Sequence, residues 1–282
     1  MRDHQQTVIN YYNRTKREYK VLWRSKQGLS LHFGYYDKTI HNHNQAVNRL
    51  NEKLADLIEV DSSDRILDAG CGVGGSLIWL ASHRRATGVG INITPWQIEF
   101  ARREAKQRGL ANRITFQVGN YSHTDLPNSA FTVFWGVESI VHAEDKSLVL
   151  GEAFRLLKPG GRLVIAEYLL QDQKLGPNDE KLIATWLGGW AMPSLLSEQQ
   201  YRHNLSRAGF GQISVEDWTE AVRPSLNRLR KFANLLTPLA QLLLRLRIIN
   251  PTQIKNLQAT NAQMSALDRN LWRYRVIVAR KP

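Results

Sequence analysis

The sequence predicts an α/β fold, with a mostly parallel seven-stranded sheet and helices on both faces. Two observations carry this. Short apolar runs alternate with helix-length segments after residue 64, and a glycine-rich turn directly follows the first of those runs. Alternation of this kind implies parallel neighbours, because parallel strands need long crossover connections, usually helices.

Two polar helices are predicted first, over residues 8–23 and 43–58, separated by an aromatic and glycine-containing stretch over 28–37. Asp61-Ser62-Ser63-Asp64 turns the chain into a buried strand over 65–69. Glycines follow, then a helix over 76–82, a strand over 88–91, a helix over 96–108 and strands over 114–118 and 131–135. The helix predicted over 146–157 stops at Lys158-Pro159-Gly160-Gly161, where proline and glycine forbid its continuation, and a strand over 162–168 comes next. Beyond Leu170 a Pro/Gly-containing region with Trp186, Gly188, Gly189 and Trp190 reads as an insertion over the site, followed by a helix over 197–208. Strands over 211–218 and 273–279 enclose a long basic helical region. The expected organisation is an N-terminal helical cap (1–45), a ligand-binding core (46–170), and a substrate-covering helical insertion with the last strands of the same sheet (171–282).

With 282 residues, 43% of them hydrophobic, the chain can bury one sizeable core. No run of about twenty uncharged apolar residues suggests a membrane span. Met1-Arg2-Asp3-His4-Gln5-Gln6 lacks the apolar core of a secretion signal, so a cytoplasmic location is expected. Cys71, the single cysteine, cannot form an intramolecular disulfide, and no metal-ligand spacing is present. The net charge of +13 is concentrated late: residues 220–282 hold twelve Lys/Arg against Glu220 and Asp268, 12 − 2 = +10. Leu226, Leu229, Phe232, Leu235, Leu236, Leu239, Leu242, Leu243 and Leu246 recur there at roughly helical spacing. Three readings stand for this segment: a core helix with a solvated basic face, a lid that meets anionic membrane lipid or an apolar substrate, and a nucleic-acid contact. The last ranks lowest, because no recognition motif accompanies the charge.

Asp68-Ala69-Gly70-Cys71-Gly72-Val73-Gly74-Gly75 occupies a strand-to-helix turn, where glycines let a ligand approach the backbone closely. Gly70, Gly72 and Gly75 satisfy the dinucleotide spacing, which calls for an acidic residue about twenty positions later to hold a ribose. Asn92 stands there instead. Asp68 before the first glycine, Asn120-Tyr121 after the third strand and Lys158-Pro159-Gly160-Gly161 before the fifth point elsewhere. A nicotinamide oxidoreductase and a non-catalytic basic binding protein remain as readings from other classes.

With those marks the chain resembles the class I methyltransferases over nearly its whole length, and among them the tocopherol and sterol C-methyltransferase group, with cyclopropane fatty-acid synthases more distant. Further matching residues are Tyr11-Tyr12-Asn13, Trp23, His32-Phe33-Gly34, Tyr35 and Gly90-Ile91-Asn92-Ile93-Thr94-Pro95-Trp96-Gln97. Trp135-Gly136-Val137-Glu138-Ser139, His142, Asp145-Lys146, Asp217-Trp218-Thr219 and Arg280-Lys281-Pro282 complete the set. The resemblance implies a Rossmann-like class I methyltransferase fold with an N-terminal helical lid and a helical insertion before the last strand. It implies S-adenosylmethionine as cofactor and S-adenosylhomocysteine as product. The implied acceptor is a small lipophilic metabolite (terpenoid, quinone-like or sterol-like) methylated at carbon; the alternative is N- or O-methylation of an alkaloid-like or polar metabolite.

On the same resemblance, Gly70, Gly72 and Gly74 line the methionine and ribose part of the cofactor, Asn92 meets its ribose hydroxyls, and Asp68 is a further cofactor-binding residue. Asn120 and Tyr121 meet the adenine, Gln97 supports the second loop, Ile93 and Val137 line the pocket, and Leu31 and His32 close it from above. Glu138 and His142, four apart at the carboxyl edge of the sheet, are the candidate catalytic pair. Trp79, Trp135, Trp186, Trp190, Tyr12 and Tyr35 are aromatic faces able to steady a developing cation. One departure bears on specificity: sterol enzymes carry an acidic residue and glycine where this chain has Lys20-Val21-Leu22 before Trp23. Arg14, Lys16, Arg17, Lys20 and Arg24 raise a prenyl diphosphate, or an anionic membrane surface, as a partner for this segment.

Overall fold

The computed structural model describes residues 2–16, 29–246 and 251–282. Trp23, Lys20-Val21-Leu22, Arg17, Arg24 and the end of the first predicted helix lie outside the described residues. Nine helices and seven strands follow in the described parts: α1 Arg2–Arg14, α2 His43–Leu57, β1 Arg65–Ala69, α3 Gly75–His83, β2 Thr87–Asn92, α4 Pro95–Gln107, β3 Ile114–Val118 and β4 Phe131–Val137. A short 3-10 turn, Ile140–His142, leads to α5 Lys146–Leu156, β5 Leu157–Leu170, α6 Pro177–Gly189, α7 Glu198–Ala208, β6 Gly211–Asp217, α8 Thr219–Arg245, α9 Pro251–Asp268 and β7 Trp272–Arg280.

The strand order is β3-β2-β1-β4-β5-β7-β6. β1 pairs in parallel with β2 and β4, whereas β7 runs antiparallel to both β5 and β6. The order therefore reverses between β1 and β4. In open α/β sheets the crevice for ligands forms at such a point, outside the carboxyl ends of the strands.

Strand periodicity sends alternate side chains to opposite faces, and two apolar cores result. Ile66, Val133, Trp135, Val164, Ala166 and Val276 enter one; Leu67, Phe134, Leu163, Ile165 and Ile277 enter the other. Leu50, Leu54 and Ile58 of the α2 region close the first core, and Val149, Leu150 and Ala153 of α5 close the second.

The two segments around the last strands are more regular than the sequence predicts. The Pro/Gly-containing insertion holds a regular helix, α6, with Pro177 in its first turn and Asp179 and Glu180 beside the N-terminal amides. α9 falls within the long helical region expected between the last two strands, where the structure has two helices, α8 and α9; its Ala259, Thr260, Ala262, Gln263, Met264, Ala266 and Leu267 are buried. β5 also begins five residues earlier than the predicted strand, taking Lys158-Pro159-Gly160-Gly161 into its extended run. Among the described residues no helix is long and apolar enough to cross a membrane.

Candidate active site

Two clefts meet at the carboxyl ends of β1 and β4. The first is built around the β1–α3 turn, where Gly70, Gly72 and Gly74 all have positive φ, +82°, +52° and +85°. It is lined by Asp68, Gly70, Gly72, Asn92, Ile93, Gln97, Tyr121 and Val137, and covered by Leu31 and His32. Asn92 Nδ2 donates to Gln97 Oε1 at 2.5 Å, so a residue in the first turn of α4 holds the amide at the end of β2. Gly74 does not line this cleft. A Cβ there would sit 2.8 Å from Phe116 and 2.9 Å from Ala101, so its role is close packing of turn against sheet. Asn120 lines an adjoining hollow that shares Val8, Ile93, Tyr121 and His142 with the cleft, and its Oδ1 accepts from the Ser122 amide at 2.8 Å.

Asp68 decides what this cleft suits. Its Oδ2 is buried without a hydrogen-bond partner, and burial pushes the carboxyl up to about 7. An orphaned buried carboxylate oxygen in a glycine cradle fits a cationic donor such as the α-ammonium of a methionine moiety.

The cover comes from residues 29–37, stitched to the body at several points. Gly34 N donates to Ser225 Oγ at 2.9 Å and Tyr35 N to Ala46 O at 2.9 Å. His32 Nδ1 donates to Phe33 O at 2.7 Å, and its Nε2 lies 3.2 Å from Asn51 Oδ1; burial pushes this imidazole down to about 4. α1 adds Val8 and Tyr12 to the cleft wall.

The second cavity is lined by Tyr11, Phe33, Tyr168, Trp190, Met192 and Phe232, with Leu229, Ala233 and Leu236 of α8 and Asn256, Leu257 and Thr260 of α9. No lysine or arginine lines it among the described residues. Tyr12, Leu31, Glu138 and His142 line both spaces, so they form the passage between them.

Glu138 follows β4 directly and has a positive φ, +48°, a strained conformation for a residue with a side chain. Phe33 N (2.8 Å) and Tyr274 Oη (2.9 Å) donate to its Oε1, and Tyr168 Oη donates to Oε2 at 2.5 Å. Desolvation outweighs these bonds and pushes the carboxyl up to about 7. His142 keeps other partners. Ala191 O can only accept, so Nδ1, 3.3 Å away, carries the proton, and Nε2 accepts from Tyr12 Oη at 3.1 Å. Burial pushes His142 down to about 4, so the ring is neutral.

Of the six aromatic candidates, Tyr12 and Trp190 reach the cavity. Trp135 and Trp186 are fully buried, Trp79 stacks on His83, and Tyr35 packs edge-on against Trp218. Tyr168 and Tyr274, which hold Glu138, were not among the candidates. They are cross-strand partners on β5 and β7, and that antiparallel register has no local mark in the sequence.

A cofactor cleft at the switch point, opening through four shared side chains onto an apolar cavity, defines a group-transfer enzyme of the α/β class. A methyltransferase domain family matches residues 60–219. The chain belongs to that methyltransferase family, and its fold is the Rossmann-like class I fold. It is similar to the 27-O-demethylrifamycin SV methyltransferase of Amycolatopsis mediterranei (strain S699), 32% identical over 72% of this chain and 73% of that one. Norajmaline N-methyltransferase of Rauvolfia serpentina is 27% identical over 100% and 99%. The 24-methylenesterol C-methyltransferase 2 of Arabidopsis thaliana is 31% identical over 74% and 57%, and tocopherol O-methyltransferases are further relatives. Among solved structures, the [4+2]-cyclase SpnF superposes with a TM-score of 0.82 at 22% identity, covering 99% of this chain and 97% of that one.

Proposed function

We propose that this protein transfers a methyl group from S-adenosylmethionine to a small, uncharged and largely apolar metabolite, and releases S-adenosylhomocysteine. Bound in the first cleft, the cofactor supplies a sulfonium-activated methyl group. The observation that carries the reading is the passage: Tyr12, Leu31, Glu138 and His142 belong both to the glycine cleft and to the aromatic cavity.

Asp68 receives the ammonium of the methionine moiety, and Asn92, steadied by Gln97, meets the ribose hydroxyls. Tyr121 and the Asn120 hollow take the adenine. Leu31, His32 and α1 exclude water, which supports transfer because an in-line displacement gains most from positioning and a dry site. A diphosphate ester is disfavoured as acceptor, since the cavity offers no cationic side chain among the described residues and burying unpaired phosphate charge is expensive. Of the basic N-terminal residues, the two that are described are engaged elsewhere: Arg14 bonds Thr252 Oγ1, and Lys16 lies over the Trp96 ring.

Glu138 titrates near neutral pH and faces the cavity beside a neutral His142. The pair suits an acceptor atom that loses a proton as the methyl arrives, either a carbon that passes through a cation or a hydroxyl oxygen. The carbon acceptor implied by the sequence resemblance belongs to this class. Sterol C-, tocopherol O- and norajmaline N-methyltransferases among the relatives show that the family serves all three elements.

The test is turnover of methyl-labelled S-adenosylmethionine with neutral terpenoid, quinol and polyketide alcohols, against prenyl diphosphates and amines, read as label in the product. Transfer to the neutral set is expected. Transfer to diphosphates alone, or no affinity for S-adenosylhomocysteine by calorimetry, overturns the reading.

A further inference from the structure

α8 carries two apolar stripes. One faces inward: Leu229, Phe232, Ala233 and Leu236, at helical spacing, line the acceptor cavity. The other faces outward and has no cover among the described residues: Leu235 is 75% exposed, Leu242 53% and Leu246 60%. The seven- and four-residue steps between these leucines put them on one side of the helix. Exposed Lys231 and Arg245 flank them. From Ala221 to Leu267 the chain has no aspartate or glutamate and seven Lys/Arg. A core helix with a solvated face does not leave three leucines in a row in water; an exposed apolar stripe edged only by positive charge is the pattern of a helix lying in a lipid interface.

We propose that the outer face of α8 docks on an anionic membrane surface, with Leu235, Leu242 and Leu246 entering the headgroup boundary and Lys231 and Arg245 meeting lipid phosphates. The charge selects this occupant. Arg223 and Arg230 are paired with Glu220 and Asp268, but a second copy would still bring the positive edge formed by Lys231 and Arg245 against itself, whereas anionic lipid neutralises it. The proposal is independent of the identity of the methyl acceptor.

The experiment is co-sedimentation of the full chain with phosphatidylcholine vesicles, with and without added phosphatidylglycerol. Binding is expected to rise roughly 10-fold or more with the anionic lipid and to fall as salt shortens the Debye length. Substituting L235E, L242E and L246E together should lower anionic-vesicle binding about 10-fold. The K231Q variant should lower it less. Calorimetric affinity for S-adenosylhomocysteine should stay unchanged in both, because none of these residues lines either cleft; this separates lost docking from lost folding. Three results overturn the proposal: equal binding to neutral and anionic vesicles or none at all, binding that the triple substitution leaves intact, or a wild-type dimer in sedimentation velocity that the triple substitution dissociates.

Discussion

Asp68 and Glu138 are carboxyls pushed up to about 7 by burial; Asp68 lines the glycine cleft and Glu138 the passage from it to the aromatic cavity. For Asp68 the sign is set by the ligand. An ammonium favours the ionised carboxylate, so affinity for S-adenosylhomocysteine should rise as pH increases from 6 to 8, and Asp68→Asn should weaken binding and flatten the profile. Calorimetry across that range checks it; a wild-type profile that stays flat sinks the role. Glu138→Gln should lower kcat roughly 10²–10⁴-fold, as loss of a general base does. It should unfold little, because the amide oxygen can still accept from Phe33 N and Tyr274 Oη. Wild-type kcat should rise with pH through about 7, and the variant should lose that limb. Asp68 could be singled out in the sequence because it precedes a glycine turn. Glu138 and His142 were singled out by the resemblance, but the sequence suggests a mutual pair, whereas the fold gives Glu138 to two tyrosines and His142 to Tyr12.

Elements differ in how far local pattern determines them. β1 and β3 fall where the apolar runs place them: β1 is buried over residues 66–69 on both faces, and β3, at the sheet edge, sets buried Ile114 and Phe116 beside exposed Thr115 and Val118. α9 leaves a weaker mark, because the face it packs against α6 and α8 mixes small and polar residues, Ala259, Thr260, Ala262 and Gln263, with apolar Met264 and Leu267, while Lys255, Gln258 and Ser265 face solvent. The glycine turn lies between these cases. Its three glycines look alike in sequence, yet a Cβ on Gly70 would meet Ser139 Cβ at 2.4 Å, while one on Gly72 meets nothing nearer than Leu31 at 3.5 Å. Ser139 is itself fixed: its Oγ donates to Ala69 O at 2.5 Å, and its backbone carbonyl accepts from Tyr121 Oη at 2.7 Å. Gly70→Ala should therefore destabilise the protein well beyond the 1–2 kcal/mol or so of left-handed strain alone and abolish cofactor binding. Gly72→Ala should show little more than the strain. Thermal melts of the two variants side by side decide it; equal losses would mean that the β1 and β4 turns are not locked together through Ser139.

The molecule as a whole keeps two kinds of buried neutral group, and they act on stability in opposite senses. His32, His43 and His142 are held down to about 4 by burial, so their contribution is lost as pH falls from 6.5 toward 4. Asp68 and Glu138 are held up to about 7 from 3.8 and 4.5, so the folded state binds more protons than the unfolded chain between those limits and stability falls as pH rises through them. Between about pH 4.5 and 6.5 the two trends offset. Above 6.5 the unfolded histidines are already neutral, and these carboxyls go on withdrawing stability. Asp68 and Glu138, with about half a pH unit each still to titrate, contribute on the order of 1.4 kcal/mol, or roughly 2–5 °C in Tm for a chain of this size. Glu167, whose carboxyl burial also pushes up, acts in the same direction. The ligand-free protein should thus melt lower at pH 8 than at pH 6.5. S-adenosylhomocysteine should reduce that difference by supplying the charge that Asp68 lacks, and Glu138→Gln should reduce it independently by removing the second carboxyl. Differential scanning calorimetry of the wild type, the complex and the variant separates the two contributions; a Tm that rises from pH 6.5 to 8 without ligand would show that neither carboxyl is held neutral by the fold.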